Sequence, residues 1–392
     1  MSELKILFAG DTFPVASNME LFREGKKEGI FGKKVCELFE SADYSVCNLE
    51  GCLTDKGIPV EKVGPNVKAP TDTLNAISAL GIKAATLANT HTLDFGSVGH
   101  DEMRNALQKY YIDFFGTGDN IDNIKSHITL DMKGKKITLY TVTELFAFNT
   151  PYKNKAGANG YDEYAVCREL SRLKENCDYL VVMYHGGAEM THFNTPKIRQ
   201  RFHRMADNGA DIIISQHTHA IGFEEYYKNS YLLYGQGNFC FNLSKNISEF
   251  TESGILLEVV FGENGFDIKK HLVKRTKNGC EYDEKQNFSG FEERSRLYDR
   301  LIKGDKGAED IFQKEFSDYC RNMWFKRLMR VFRGINSEDD KALAELSERE
   351  QENYLLSKFT KKQLSAIQMM LANDEFNEIA LNFITQAINN KE

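Results

Sequence analysis

The chain has 392 residues, a length that indicates one large domain with an appendage, or two domains. Hydrophobic residues make up 41% and charged residues 27%, which is typical of a soluble globular protein. The net charge of −7, without any basic run that carries interleaved aromatic residues, argues against nucleic acid or an anionic membrane as the main partner.

The eight cysteines are scattered along the chain, and no two of them form a C-x-x-C pair. This pattern favours free thiols in a reducing compartment over a disulfide framework. The first residues lack the length and the cleavage site of a signal peptide, and no run approaches the ~20 apolar residues of a membrane-spanning helix. We therefore expect a cytoplasmic protein.

Short apolar runs rich in β-formers alternate with amphipathic segments over the first 240 residues. In chain order, the pattern predicts a strand at 5–11, a helix at 31–40, strand 44–51, helix 71–80, strand 84–91, helix 100–111, strand 137–144, helix 161–176, strand 179–187, helix 196–208, and strands at 211–219 and 231–239. This alternation indicates an α/β domain, with a sheet covered by helices.

The pattern changes after residue 250. The segment 251–275 predicts a β-hairpin that turns at Glu263-Asn264-Gly265, and from about 286 the chain is charged and helical. We predict a domain at 1–285 and a C-terminal α-helical region at 286–392. The apolar stripes of that region are expected to pack on the main domain, while Met323-Trp324-Phe325 and Met369-Met370 are candidates for an oligomer or partner contact.

The predicted strands end repeatedly on residue types that bind metals. These strand-end residues are Asp11, Glu50, His91, His185, His217 and His219. In open α/β sheets, ligands bind just outside the carboxyl ends of the strands. Because the set mixes carboxylates with imidazoles, it suits Zn, Mn or Fe better than Ca or Mg. The sequence therefore predicts a site for one or two divalent metal ions.

His217 and His219 are two residues apart. In an extended segment both side chains would point to the same side and bind one metal or two adjacent ones. The alternative is a pair of hydrogen-bonded histidines at a strand end. Asp94 follows His91 by three residues and is expected to orient its imidazole, unless it caps the helix that follows.

Asp11 and Glu50 also have ordinary interpretations. Asp11 could cap a helix, and Glu50 could be a solvated carboxylate at the end of a strand. Gly10 and Gly51 stand beside them and permit a close approach of the backbone, which favours a functional role.

Six motifs follow one another in a specific order. They are Gly10-Asp11, Asn48-Leu49-Glu50, Ala88-Asn89-Thr90-His91 with Asp94 and Gly96, His185-Gly186-Gly187-Ala188-Glu189, Gly209-Ala210-Asp211 leading to His217-Thr218-His219, and Gly237-Asn238-Phe239. Over about residues 4–245 the chain thereby resembles the bacterial capsule-synthesis CapA family, a branch of the calcineurin-like metallophosphoesterase fold. The resemblance implies a β-sandwich flanked by helices, in α/β/β/α layers, with a metal site at one edge.

The resemblance also implies a role for each site residue. Glu50 resembles the carboxylate that bridges two metals, Asp11 and His219 resemble ligands of one metal, His185 and His217 resemble ligands of the other, and His91 resembles the histidine that protonates the leaving group. Two metals of this kind would generate a hydroxide near neutral pH.

Two departures from the phosphoesterase pattern bear on this assignment. Phe13 stands where such enzymes usually have a histidine, two residues after the first aspartate. Thr90 stands where an asparagine normally binds the second metal, and a threonine hydroxyl is a poor ligand for these ions. Asn89 is a candidate metal ligand in its place if the turn is reshaped.

The resemblance implies a metal-dependent, metallophosphoesterase-like hydrolase of capsule or other extracellular polymer metabolism, such as that of poly-γ-glutamate. Its substrate would be a small molecule or a polymer that carries a phosphoester, an amide or a glycan linkage. The alternative is a non-catalytic or weakly catalytic binding protein of an exopolymer synthesis complex, which Thr90 and Phe13 favour.

Overall fold

The computed structural model describes residues 3–62, 64–146, 148–242, 248–319, 346–357 and 359–364. The chain divides into two compact units, Met1–Asp310 and Ile311–Glu392. The predicted domain boundary near 285 stays a prediction, and the predicted contacts at 323–325 and 369–370 lie outside the described residues.

The described residues form strands and helices in the alternation that the sequence predicts. The strands are β1 (Leu4–Phe13), β2 (Tyr44–Leu49), β3 (Cys52–Leu53), β4 (Lys68–Ala69), β5 (Ala84–Thr86), β6 (Asp113–Phe115), β7 (Thr117–Gly118), β8 (His127–Met132), β9 (Lys135–Thr143), β10 (Gly157–Ala158), β11 (Tyr179–His185), β12 (Ile212–Gln216), β13 (Glu224–Tyr227), β14 (Ser230–Leu233), β15 (Asn238–Phe241), β16 (Ser253–Phe261), β17 (Phe266–Arg275) and β18 (Cys280–Tyr282). The helices are α1 (Met19–Arg23), α2 (Lys27–Phe31), α3 (Lys33–Ser41), α4 (Leu74–Leu80), α5 (Gly96–Lys109), α6 (Glu163–Lys174), α7 (Pro196–Asp207), α8 (Ser289–Ile302), α9 (Lys306–Tyr319) and α10 (Glu348–Ser357).

Two large sheets form the centre of the first unit. One sheet has the order β18-β17-β16-β1-β2-β5-β6, with β15 also paired to β1, and the other has the order β13-β14-β12-β11-β9-β8. Apolar side chains from both sheets share one core, among them Phe8 and Leu257 from the first and Val181 and Ile214 from the second. The sheets therefore pack face to face as a β-sandwich.

Helices cover the two outer faces of this sandwich. Helices α1 to α5 supply apolar side chains to a core on the outside of the first sheet. Helices α6, α7 and α8 do the same on the outside of the second sheet. The predicted α/β/β/α architecture with C-terminal helices is therefore confirmed.

The prediction of one strand at 231–239 is wrong, because this segment contributes to both sheets. β14 pairs with β12 in the second sheet, whereas β15 pairs with β1 in the first. Gly237, with φ +71°, has the left-handed backbone that lets the chain cross between them. A Cβ on Gly10 would lie 2.4 Å from the Gly237 carbonyl oxygen, so the glycine at position 10 allows β15 to approach β1.

The predicted hairpin is present as β16 and β17, which pair in antiparallel fashion. It extends the first sheet, since β16 also pairs with β1. Among the described residues, no helix is both long and apolar enough to cross a membrane.

Candidate metal centre

The site lies where carboxyl ends of strands from both sheets meet. Glu50 directly follows β2, and His185 is the last residue of β11. Asp11 lies near the end of β1, at a point where the pairing register with β15 shifts. The side-chain amides of two buried glutamines link the sheets here, with Gln216 Nε2 donating to Ala9 O at 3.4 Å and Gln236 Nε2 donating to Phe8 O at 2.6 Å.

Five of the predicted metal ligands form two groups that share one carboxylate. Asp11, Glu50 and His219 form what we call the first metal position, and Glu50, His185 and His217 form the second metal position. Within each group one ligand atom per residue lies within 4.8 Å of the others, and all five side chains are buried. The resemblance implied the same division, and the metal-binding roles of these residues stay a prediction.

Glu50 tests whether a cation fits this arrangement. Its side chain is fully buried, so the interpretation of Glu50 as a solvated strand-end carboxylate is wrong. Neither of its oxygens has a hydrogen-bond partner among the described residues. A buried carboxylate in that condition is strongly destabilising unless a cation compensates it. The donor set of two carboxylates and three imidazoles suits a transition-metal ion.

Asp11 is held in place from several directions. Its Oδ1 accepts a hydrogen bond from Asn48 Nδ2 at 2.7 Å, and its Oδ2 accepts one from the His217 backbone amide at 3.2 Å. The same Oδ2 lies 3.4 Å from His219 Nδ1. Asn48 also contacts His185 Nδ1 at 3.1 Å, so one amide orients a residue from each sheet.

The two histidines at the end of β12 reach their positions through a turn. The strand ends at Gln216, so the expectation that His217 and His219 share one face of an extended segment is wrong. Both residues have a left-handed backbone, with φ of +81° and +57°. Such strain is rare outside glycine and concentrates at functional sites. The turn sends His217 to the second metal position and His219 to the first.

Burial and neighbouring charges perturb the protonation of these residues. Burial and the negative charge of Asp11 raise the pKa of Glu50 well above its usual range. Burial and the neighbouring His217 ring lower the pKa of His185. Burial lowers the pKa of His219 as well, but the hydrogen bond to Asp11 and the negative charge of Asp11 outweigh burial, so the pKa of this imidazole is raised. A bound cation favours ionised carboxylates and neutral imidazoles, so metal binding would release protons here.

His91 lies beside this centre and contacts Asp94, as the sequence predicts. Its Nδ1 lies 2.6 Å from Asp94 Oδ2, which also accepts a hydrogen bond from the Val67 amide at 2.7 Å. The alternative in which Asp94 caps α5 is wrong, because the residue at the N-cap is Phe95 and it makes no side-chain cap. The segment 84–91 is also not all strand, since β5 ends at Thr86.

Thr90 and Asn89 occupy the turn between β5 and His91. Thr90 Oγ1 lies 3.5 Å from His185 Nε2, which places its hydroxyl at the edge of the second metal position. Asn89 donates to Leu49 O at 2.8 Å, and its Oδ1 accepts a bond from the His91 amide at 3.0 Å. The role of Asn89 as a metal ligand stays a prediction, and these hydrogen bonds do not favour it.

Phe13 replaces the usual histidine with an apolar contact. Its ring is fully buried in the core of the first sheet, against Gly51. No imidazole from this position therefore reaches the first metal position.

Residues 5–243 match the model of the family described as "Bacterial capsule synthesis protein PGA_cap". The match covers more than half of the 392 residues. The chain belongs to this family.

Two curated relatives of this PGA_cap chain carry names of the same kind. The "Capsule biosynthesis protein CapA" of Bacillus anthracis is 26% identical over 219 residues, which are 54% of this chain and 53% of the relative. The "PGA biosynthesis protein CapA" of Bacillus subtilis (strain 168) is 25% identical over 242 residues, which are 61% of this chain and 63% of the relative. The chain thus spans between about half and two thirds of the curated relatives that it matches.

Solved structures of similar shape include the NAD nucleotidase NadN of Haemophilus influenzae. It has a TM-score of 0.44 and 14% identity, and the alignment covers 82% of this chain and 60% of that one. A hypothetical protein from Thermus thermophilus also has a TM-score of 0.44 and 14% identity, with 70% of this chain and 100% of that chain covered.

Sequence reasoning did not identify Lys62 as part of the PGA_cap site. The side chain of Lys62 is 4% exposed, forms an ion pair with Asp94, and lies 3.3 Å from His91 Nδ1. Its Nζ also lies 4.5 Å from the centre of the Phe148 ring. No periodic pattern in 57–67 signals this role, because the described residues of that segment form neither helix nor strand and their position depends on the fold around them.

A cavity of about 300 Å³ borders the segment that follows His91. Leu93, Gly96, Phe148, Asn154 and Lys155 are among the residues that line it. The cavity therefore offers both apolar and polar contacts close to the His91–Asp94 pair.

Proposed function

We propose that this PGA_cap chain is a metal-dependent hydrolase, of metallophosphoesterase type, that acts in capsule or other extracellular polymer metabolism. Glu50 carries the proposal. Its carboxylate is fully buried, has no hydrogen-bond partner among the described residues, and belongs to both metal positions. If divalent ions of Mn, Zn or Fe type bind, Glu50 would be a ligand at both positions, which would account for all three properties.

Asp11, Glu50 and His219 at the first position, and Glu50, His185 and His217 at the second, would hold divalent ions, which would supply Lewis acidity and a bound water of lowered pKa. The chain's own residues then hold the ions and manage protons. Asp94 and Lys62 fix the His91 ring, and Asp94 binds Nδ1, so proton transfer to a leaving group falls to Nε2. The cavity that borders the segment after His91 is our candidate binding site for the leaving group of the substrate.

The polymer and the cellular location belong to the proposal as well. The names of the two CapA relatives support a capsule or poly-γ-glutamate role, although the match covers only part of each. The seven cysteines among the described residues are all free, which supports a cytoplasmic location.

Metal analysis of protein purified without chelator tests the proposal directly. We expect one to two equivalents of a divalent metal, and metal-dependent hydrolysis of a generic aryl phosphate. A His91→Ala variant should bind the same amount of metal but hydrolyse the ester about 10²–10⁴-fold more slowly. Metal content near zero, unchanged after incubation with Mn or Zn, would remove the hydrolase proposal. Equal rates for both proteins would remove the acid role of His91.

A second candidate function is that of a non-catalytic binding protein in an exopolymer synthesis complex. Thr90 favours it, because the hydroxyl replaces a stronger ligand at the second metal position. In that case the same experiment should give at most one equivalent of metal and no hydrolysis above the rate of free metal.

A further inference from the structure

Glu189 lies next to a metal-ligand histidine without having been assigned a role. Its Oε1 is 3.6 Å from Nε2 of His217. The other ring nitrogen, Nδ1, is buried and has no hydrogen-bond partner among the described residues. The two nitrogens of His217 are therefore unlike, because Nε2 faces a carboxylate whereas Nδ1 has no partner among the residues that the structure describes.

The loop that carries Glu189 is anchored at both ends. The Gly187 amide donates to Glu144 Oε2 at 3.2 Å, and the Met190 amide donates to Thr218 O at 2.9 Å. Glu144 is itself held by Arg201, whose guanidinium donates to Oε1 at 2.6 Å. The Met190–Thr218 bond connects the loop after β11 directly to the turn after β12, and the Gly187–Glu144 bond holds the start of that loop against the residue that follows β9, so backbone bonds on both sides hold Glu189 beside His217.

We propose that Glu189 is a positioning residue of the second metal position. Its carboxylate keeps the ring proton of His217 on Nε2, so the lone pair of Nδ1 is available to bind the metal. A carboxylate that accepts the second N–H of a metal-bound imidazole fixes the tautomer and raises the basicity of the ligand. This inference rests on the metal site of the proposed function.

Thr90 explains why this position depends on such support. The second metal position has two imidazoles, Glu50 and a threonine hydroxyl at its edge. With a weak oxygen donor in place of an amide, more of the binding strength falls on His185 and His217. Loss of an outer carboxylate of this kind typically costs 10–100-fold in metal affinity.

The test is a zinc titration by calorimetry of wild type, Glu189→Ala and Glu189→Gln. For the alanine variant we expect affinity at one of two sites to fall by about 10–100-fold while the other stays unchanged. The glutamine carbonyl can also accept the Nε2 proton of His217, although without a negative charge, so Glu189→Gln should recover part of the loss. Glu163→Gln serves as the matched control, because Glu163 is an exposed glutamate that pairs with Arg204. This variant should bind zinc with the affinities of wild type.

Nitrogen-15 NMR of histidine-labelled, zinc-loaded protein provides a readout that a merely structural role would not change. The His217 signals, assigned with a His217→Asn variant, should show zinc on Nδ1 and a proton on Nε2. Two results would overturn the inference and leave the proposed function intact. One is zinc on Nε2 of His217, and the other is a zinc affinity at each site that is the same in Glu189→Ala as in wild type. A wild-type protein that binds no zinc would remove both.

Discussion

Replacing Glu50 by glutamine should stabilise the metal-free protein while abolishing its response to metal. The substitution keeps the shape of the side chain but removes a buried acid whose pKa is raised by burial and by Asp11, so that the metal-free folded state must either bury its charge or take up a proton. It also removes the repulsion between Glu50 and Asp11 and introduces an amide donor close to that carboxylate. Both changes favour the folded state without metal.

The size of the effect follows from the burial. Each buried and unsatisfied polar group costs about 1–3 kcal/mol, so relieving the Glu50 carboxylate should add about 2 kcal/mol to the free energy of unfolding. In a unit of the size of Met1–Asp310 that corresponds to a rise in Tm of about 3 °C. Wild type should in turn gain about 2.7 kcal/mol at a metal concentration of 100 times Kd, whereas Glu50→Gln should gain little. Metal should therefore reverse the order of stability.

Thermal unfolding followed by circular dichroism, with chelator and then with Mn or Zn, measures both effects. Glu258→Gln is the matched control. Glu258 is also a buried carboxylate, but it is paired with Lys5, Lys269 and His271, so its replacement should lower Tm and leave the response to metal unchanged. The reasoning fails if metal-free Glu50→Gln is no more stable than wild type, or if metal stabilises it as much as it stabilises wild type.

Three further substitutions test other parts of the site and its surroundings. Lys62→Met should lower the free energy of unfolding by about 3 kcal/mol in chemical denaturation, because it removes the cation that pairs with the buried carboxylate of Asp94. An unchanged free energy of unfolding would contradict a stabilising Lys62–Asp94 ion pair. Burial and the charge of Arg104 lower the pKa of His100 to about 4, so the unfolded chain binds more protons than the folded one between pH 6.5 and 4. Stability should therefore decline by about 3 kcal/mol as pH falls through that range, and His100→Gln should remove this part of the decline in urea unfolding. Gly10→Ala places a Cβ 2.4 Å from the Gly237 carbonyl oxygen, so β15 must move away from β1. We expect the free energy of unfolding to fall by about 1–3 kcal/mol and zinc binding in calorimetry to weaken. Unchanged stability with tight zinc binding would show that the metal site does not depend on the position of β15.

Much of the fold follows from local pattern. The alternation of apolar runs and amphipathic segments predicts the order of the main strands and helices, and the Glu263-Asn264-Gly265 turn predicts the hairpin. The ligand types at strand ends are equally local, because a strand that ends on aspartate, glutamate or histidine can be seen in the sequence. The three-residue spacing of His91 and Asp94 likewise predicts the contact that the structure contains.

Only the tertiary structure divides these strands between two sheets. The segment 231–239 has the pattern of a single strand, yet a left-handed glycine directs its halves into different sheets. Pairing partners are set by long-range contacts, which the period of a short apolar run does not encode. The same holds for the turn that sends His217 and His219 to different metal positions.

The burial of the site side chains likewise could not be predicted from the sequence. The sequence around a strand-end carboxylate such as Glu50 is the same whether the side chain faces water or a closed site. Its desolvation depends on the packing of the second sheet against the first. Lys62 and Glu189 reach His91 and His217 from segments without helix or strand periodicity, carried there by the fold. The residue types at the ends of the strands follow from the amino-acid sequence alone. The packing of the two sheets decided which of them meet, since side-chain distances across a sandwich depend on contacts between residues far apart in the chain.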